Sequence, residues 1–191
     1  MVTNVAADRR VFTSNAFLVA GERTVLVDAG NEYDPIPAIE AASADLDAVV
    51  LTHTHPDHVG NVAAVVDAFD VDVWGFDADH DLVDHAIADD ETVGLGDHDY
   101  RALHTPGHKD DHLCFYATGA GTAFVGDLVF SGGSFGRTDL EEGDRGALVT
   151  SIERLLDAVD DSFATMHAGH GPSVTDDPRD HVEAALRAAR R

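Results

Sequence analysis

The stretch Thr52-His53-Thr54-His55-Pro56-Asp57-His58 crowds three imidazoles and a carboxylate together directly after the apolar run Ala48 to Leu51. Imidazole nitrogen combined with carboxylate oxygen suits Zn, Fe, Mn or Ni, whereas an all-oxygen set would point to Mg or Ca. In an extended segment, residues two apart point the same way, so His53 and His55 can converge on one metal. Pro56 breaks a strand ladder and Asp57 sits where a helix would begin, which turns Asp57 and His58 toward a neighbouring position. One stretch could therefore serve two metals. A lone His-x-His reads more readily as a solvated polar turn, but His-x-His-x-Asp-His behind an apolar strand favours a metal.

Three later turns carry the same kinds of side chain. His108 closes Thr105-Pro106-Gly107-His108, Asp127 follows Gly126, and His170 sits in Gly169-His170-Gly171. Each follows the carboxyl end of a predicted strand, where ligand sites of α/β sheets gather. A glycine beside each lets the backbone approach closely.

The elements that must position these groups follow from periodicity and turn chemistry. Val11 to Ala20 and Thr24 to Val27 read as paired strands joined at Gly21-Glu22. Pro35 to Ala44 reads as a helix, Ala48 to Leu51 as a buried strand, Asp57 to Phe69 as one amphipathic helix and Val71 to Phe76 as a strand. His80 to Ile87 is expected to be helical. Strands are expected at Asp99 to Leu103, His112 to Ala117, Thr122 to Val125 and Phe163 to His167, with helices from Arg145 to Val159 and from Pro178 to Arg190. No sequence repeat or linker interrupts this order, so residues 1–191 are expected to form a single layered α/β domain with helices outside two sheets.

Acidic residues number 36 against 12 basic ones, a formal net charge of −24, and Lys109 is the sole lysine. Spread along the chain, this excess describes a heavily hydrated acidic surface resembling the proteins of salt-loving (halophilic) microbes, where salt screens self-repulsion. Thermal stability is accordingly expected to fall when salt is lowered from molar to millimolar; an unchanged melting temperature would refute that reading. Such a surface repels nucleic acid and anionic membrane, since phosphate binding needs Lys and Arg. Met1 to Arg10 has no apolar signal-peptide core and no run approaches membrane-spanning length, so a cytoplasmic protein is expected. Cys114 is the only cysteine; within the apolar run Leu113 to Tyr116 it is expected to be a small core residue rather than a nucleophile.

Taken together, Thr52 to His58, Thr105 to His108, Gly126-Asp127 and Gly169-His170-Gly171 resemble the ordered motifs of the metallo-β-lactamase superfamily. The resemblance implies a four-layer αββα sandwich holding two divalent metal ions, zinc first, with Fe or Mn as alternatives. It implies His53, His55 and His108 around one metal, Asp57, His58 and His170 around the other, and Asp127 bridging them. It further implies that Asp28, in Val27-Asp28-Ala29-Gly30, orients the ligands from behind. Within the superfamily, His108 to Tyr116 is similar to glyoxalase II, and Phe130 to Asp144 is similar to compact glyoxalase II-like hydrolases and persulfide dioxygenases. His112 is expected to support the ligands rather than join them. The chain is expected to lack the added helical domain by which full-length glyoxalase II contacts glutathione. Lys109-Asp110-Asp111 replaces the small residues usual after the ligand His, and acids there oppose an anionic thioester.

The resemblance implies hydrolysis of a small-molecule thioester or related acyl ester, because paired cations bring the pKa of a shared water toward about 7 and polarise a carbonyl. Asp57 and Asp127 are the catalytic carboxylates of that scheme. Arg137 offers a planar fork for a substrate carboxylate, and equally a partner for Asp139 or Asp144 within its own loop. Two other readings stand beside this one: an iron persulfide dioxygenase using His53, His108 and Asp127, and a metal-binding protein without catalysis. Lactone hydrolysis remains a variant of the first.

Overall fold

Unbroken apolar runs along short strands, FLV, VLV, AVV and LCFYA among them, make both faces of two sheets greasy, and this chain stacks them as four layers. The structure is a computed structural model that describes residues 1–42 and 45–191. The first sheet has six strands in chain order: β1 (Val2–Asn4), β2 (Phe17–Val19), β3 (Val25–Val27), β4 (Ala48–Val50), β5 (Asp72–Gly75) and β6 (His85–Ala86). Pairing is antiparallel from β1 to β3 and parallel from β3 to β6. The second has five: β7 (Thr92–Leu95), β8 (His98–His104), β9 (Leu113–Ala117), β10 (Thr122–Gly126) and β11 (Thr165–Ala168), antiparallel except for the parallel pair β10 and β11.

The period of two assigns each side chain to a layer. Phe17, Val19, Val25, Val27, Ala48 and Val50 face Leu113, Phe115, Ala117 and Phe124 across the gap between sheets. The intervening residues Leu18, Leu26 and Val49 face outward onto Ile39 of α1 (Ile36–Ala42) and Val62 and Val65 of α3 (Val62–Phe69). On the far side, Cys114, Tyr116, Ala123 and Val125 meet α4 (Arg145–Ala158) and α5 (Pro178–Ala189) through Leu148, Ile152, Val182 and Ala185. This is the αββα order. Cys114 lies wholly in that outer core, and burial pushes its thiol up to about 12, which makes it inert. Among the described residues no helix is long and apolar enough to cross a membrane.

Four expectations are corrected. Only Phe17–Val19 of the stretch Val11 to Ala20 is a strand; Ser14 N donates instead to Asp57 O (3.0 Å) and Asn15 N to Gly169 O (2.7 Å), which draws residues 11–16 across the rim as a loop. The helix expected over Asp57 to Phe69 is two, α2 (Pro56–Val59) and α3, because His58 O accepts from Ala29 N and Gly30 N, 2.9 and 3.1 Å away, rather than continuing a helical ladder. His80 to Ile87 is not a helix; its end is β6, pinned to β5 through Asp84 N to Val73 O and Val73 N to the Asp84 carboxylate. Leu82 and Val83 pack outward while Ile87 faces between the sheets, a split between layers that mimicked helical spacing. Strands β1 and β7 were not anticipated, and of the helix expected over Pro35 to Ala44 the last two residues lie outside the described ones.

Candidate metal centre

Every ligand-type side chain singled out from the sequence arrives at one rim. The strand β4 ends at Val50, so His53 and His55 stand in the loop beyond it rather than on a strand, and Asp57 and His58 lie in the single turn of α2. His108 comes from the turn after β8, Asp127 directly follows β10, and His170 follows β11. Nitrogen or oxygen atoms of His53, His55 and His108 lie within 4.8 Å of one another, as do those of Asp57, His58 and His170, and those of His53, His58 and Asp127. Asp127 sits between the first two groups: Oδ1 is 3.3 Å from His58 Nε2, and Oδ2 is 3.4 Å from His108 Nε2 and 3.5 Å from His170 Nε2. Gly169 makes this packing possible, since a Cβ there would lie 2.1 Å from Asp127 Oδ1.

Hydrogen bonds behind the rim decide which ring nitrogen looks into it. Asp28, held at φ 56° behind β3, accepts from Thr52 N, Thr52 Oγ1 and His58 Nδ1, each at 2.8 Å. Thr52 Oγ1 therefore spends its proton on Asp28 and accepts from His53 Nδ1 at 3.1 Å. Both His53 and His58 thus carry hydrogen on Nδ1 and aim Nε2 forward. His108 Nδ1 likewise donates to the Arg137 carbonyl at 2.8 Å, which turns Nε2 toward the rim. His55 presents the other nitrogen, with Nδ1 2.9 Å from His108 Nε2.

His112 has no donor atom left for the rim. Its Nε2 accepts from Asp127 N at 3.1 Å, so Nδ1 carries the proton, shared with Thr105 Oγ1 at 2.9 Å. It fixes the backbone that bears Asp127.

Whether these residues suit a cation is answered by the atoms left over. His53 Nε2, His58 Nε2 and Asp127 Oδ1 are buried and make no hydrogen bond. Each such orphan costs about 1–3 kcal/mol unless something satisfies it, and a cation bound by all three would. Titration behaviour agrees. Burial, then the neighbouring imidazoles of His58, His112 and His108, hold His53 well below the ordinary histidine value, and burial and His108 bring His55 down to about 4. Burial works against charge on His58 and on Asp127 too, yet the carboxylates of Asp28 and Asp127 raise His58 while His58, His170 and His108 hold Asp127 far down. A positive charge is favoured where these groups meet.

The centre opens into a cleft of about 660 Å³ walled by Phe12, Phe130, Phe135 and Leu140. Arg137 lines it, but its guanidinium is 68% exposed and forks onto Asp139 at 2.9 and 3.0 Å, so the pairing within its own loop is the one observed. Three contributors were not anticipated: Thr52 as the relay from Asp28, the Arg137 carbonyl, and Asp111. The last was read as an acid facing substrate. It is instead buried, accepting from Thr54 Oγ1 at 2.6 Å and so tying the His108 turn to the segment between His53 and His55. Asp111→Ala is expected to lower unfolding free energy by about 1–3 kcal/mol in a denaturant titration, because Thr54 Oγ1 then loses its buried acceptor. An unshifted midpoint would show the link to be idle.

Comparison with known proteins is consistent with this arrangement. The family model described as Metallo-beta-lactamase superfamily matches residues 9–170. A hydroxyacylglutathione hydrolase of Chromohalobacter salexigens is 34% identical over 153 residues, 79% of this chain and 58% of that protein, so the chain spans little more than half of that relative's length. The hydroxyacylglutathione hydrolase GloC of Haemophilus influenzae is 29% identical over 189 residues, covering 86% of this chain and 88% of that protein. Among solved structures, TTHA1623 in a di-iron-bound form superposes with a TM-score of 0.76 at 30% identity, covering 98% of this chain and 96% of the other.

Proposed function

Because this chain belongs to the metallo-beta-lactamase superfamily, we propose that it is a metal-dependent hydrolase of a thioester or related acyl ester, cleaving a hydroxyacyl-thiol in the manner of glyoxalase II. The observation that carries the reading is the convergence of His53 Nε2, His58 Nε2 and Asp127 Oδ1, three buried atoms without hydrogen bonds, behind a cleft that Asp127 lines. The names of two relatives, both hydroxyacylglutathione hydrolases, support it.

His53, His55 and His108 would hold one divalent cation, Asp57, His58 and His170 a second, and Asp127 both. Zinc fits this nitrogen-rich set, and iron or manganese would fit it as well. Such a pair supplies a hydroxide at neutral pH and an electrophile for the scissile carbonyl. The chain's own groups then have distinct tasks. Asp57, which lines the cleft with Oδ2 3.0 Å from His170 Nε2, would orient the nucleophile toward the scissile carbonyl. Asp127 keeps its charge fixed between the two imidazole groups. Asp28 and Thr52 keep two imidazoles in the tautomer that offers Nε2. Arg137 can serve a substrate carboxylate only by releasing Asp139.

The alternative is a mononuclear iron persulfide dioxygenase on His53, His108 and Asp127; Asp57, His58 and His170 are common to both groups, and the hydrolase is preferred on the names of the two relatives. Metal analysis of the purified protein, paired with thioester hydrolysis and persulfide-dependent oxygen uptake in molar salt, separates the two. Two metals per chain with hydrolysis and no oxygen uptake is the expected result; one iron with oxygen uptake would overturn it.

A further inference from the structure

We infer that the cleft selects thioesters whose thiol arm is uncharged, rather than a peptide thiol bearing two carboxylates, and that Phe12 grips that arm. The inference rests on the hydrolase reading above and adds the chemical class of the carrier.

Phe12 is a large aromatic side chain left 74% exposed beside the metal centre. It does not hang free. Its loop is fastened on both sides of the rim by Ser14 N to Asp57 O (3.0 Å) and Asn15 N to Gly169 O (2.7 Å), and Thr13 Oγ1 accepts from Asn31 N at 2.8 Å. The ring lies stacked 6.2 Å from His170, and Phe130 stands 6.0 Å from the same imidazole. An aromatic wall at a fixed position next to reacting groups, with nothing of the chain covering it, is a surface whose burial a ligand would complete.

Charge excludes the competing carrier. Apart from the proposed metal ligands, the charged groups lining the cleft are Glu141, Glu142 and Arg137. The guanidinium of Arg137 is already committed, fork to fork, to Asp139. Lys109, which follows His108, is held by Glu142 with Asp110 beside it. Arg145 stands 4.6 Å over the Phe135 ring with its donors on the Ala188 and Ala189 carbonyls, and Arg9 lies over Tyr33. Arg10 is exposed and does not line the cleft. A carrier bearing two carboxylates would therefore meet acids and committed cations, in a chain of net charge −24.

The test uses two inert thioethers with the same hexyl arm, one on glutathione and one on N-acetylcysteamine, titrated calorimetrically into the metal-loaded protein in molar KCl. The neutral thioether should bind about tenfold or more tightly than the glutathione one, and Phe12→Ala should weaken the neutral one about fivefold or more while leaving the other unchanged. Equal or tighter binding of the glutathione thioether, binding of neither, or indifference to Phe12→Ala would overturn the inference. Hydrolysis of matched acyl thioesters on the two carriers, run alongside, reports on the enzyme reading separately: thioether binding with the expected preference but no hydrolysis of either ester would remove the hydrolase and leave the selectivity of the cleft standing.

Discussion

An Asp127→Asn chain is expected to fold, to lose at least one of its two metals, and to hydrolyse thioesters about a thousandfold more slowly. The fold survives because the structural contact of this residue, Asp127 N to His112 Nε2, belongs to the backbone. The side chain is different. Its two oxygens lie 3.3 to 3.5 Å from ring nitrogens of His58, His108 and His170, so this one carboxylate reaches both ligand groups. An amide supplies one acceptor instead of two, carries no charge, and turns N–H toward nitrogens that must offer lone pairs. Removing one member of a buried charge set costs about 3–5 kcal/mol, which spans roughly two to four decades of rate or affinity. Metal content per chain and the hydrolysis rate measure both parts. Two tightly held metals together with an undiminished rate would show that Asp127 does not bridge.

What the sequence made legible was atom type. His53, His55, Asp57, His58, His108, Asp127 and His170 stand out because few other reasons gather imidazoles and carboxylates at strand ends, and the structure brings all seven to one rim. The layers were legible too, since alternation along β2, β3, β4 and β9 sorts side chains between the two sheet faces. What was hidden is nonlocal. The tautomer of His108 depends on a carbonyl 29 residues away, and Arg137, noticed for its guanidinium, acts on the centre through its backbone. The break between α2 and α3 arises because amides of residues 29 and 30 take the His58 carbonyl, which no helical propensity records. The run Val11 to Ala20 reads as one strand of a hairpin, whereas hydrogen bonds from Ser14 and Asn15 to the rim make its first part a loop. Asp111 looked like one acid among many until its burial against Thr54 gave it a structural task. Position along the chain identifies the donors, and the folded backbone decides how each of them points.

Asp28→Asn tests that orientation most directly, and its effect should appear in metal affinity before stability. Asn tolerates the left-handed backbone at φ 56° that Asp28 occupies, so the turn itself is preserved. Asp28 Oδ2, however, accepts two hydrogen bonds, from Thr52 Oγ1 and His58 Nδ1. If the amide nitrogen replaces that atom, it must donate where it had accepted. His58 then has to move its proton to Nε2, the nitrogen 3.3 Å from Asp127 Oδ1, and cannot offer a lone pair there. Thr52 Oγ1 must also reverse, which disturbs the bond that sets the His53 tautomer. With the amide flipped, the same conflict falls on Thr52 N, which donates to Oδ1. One substitution behind the rim thus reaches a ligand of each proposed metal. Loss of such an outer partner typically costs about 10- to 100-fold in metal affinity, and because two ligands are affected the upper end is expected. Chelator competition on the metal-loaded protein reads that change, while the melting temperature of the chelator-stripped protein reads the fold. Unaltered affinity in a folded Asp28→Asn chain would mean that Asp28 does not set the orientation of His53 and His58, and that packing around the rings does.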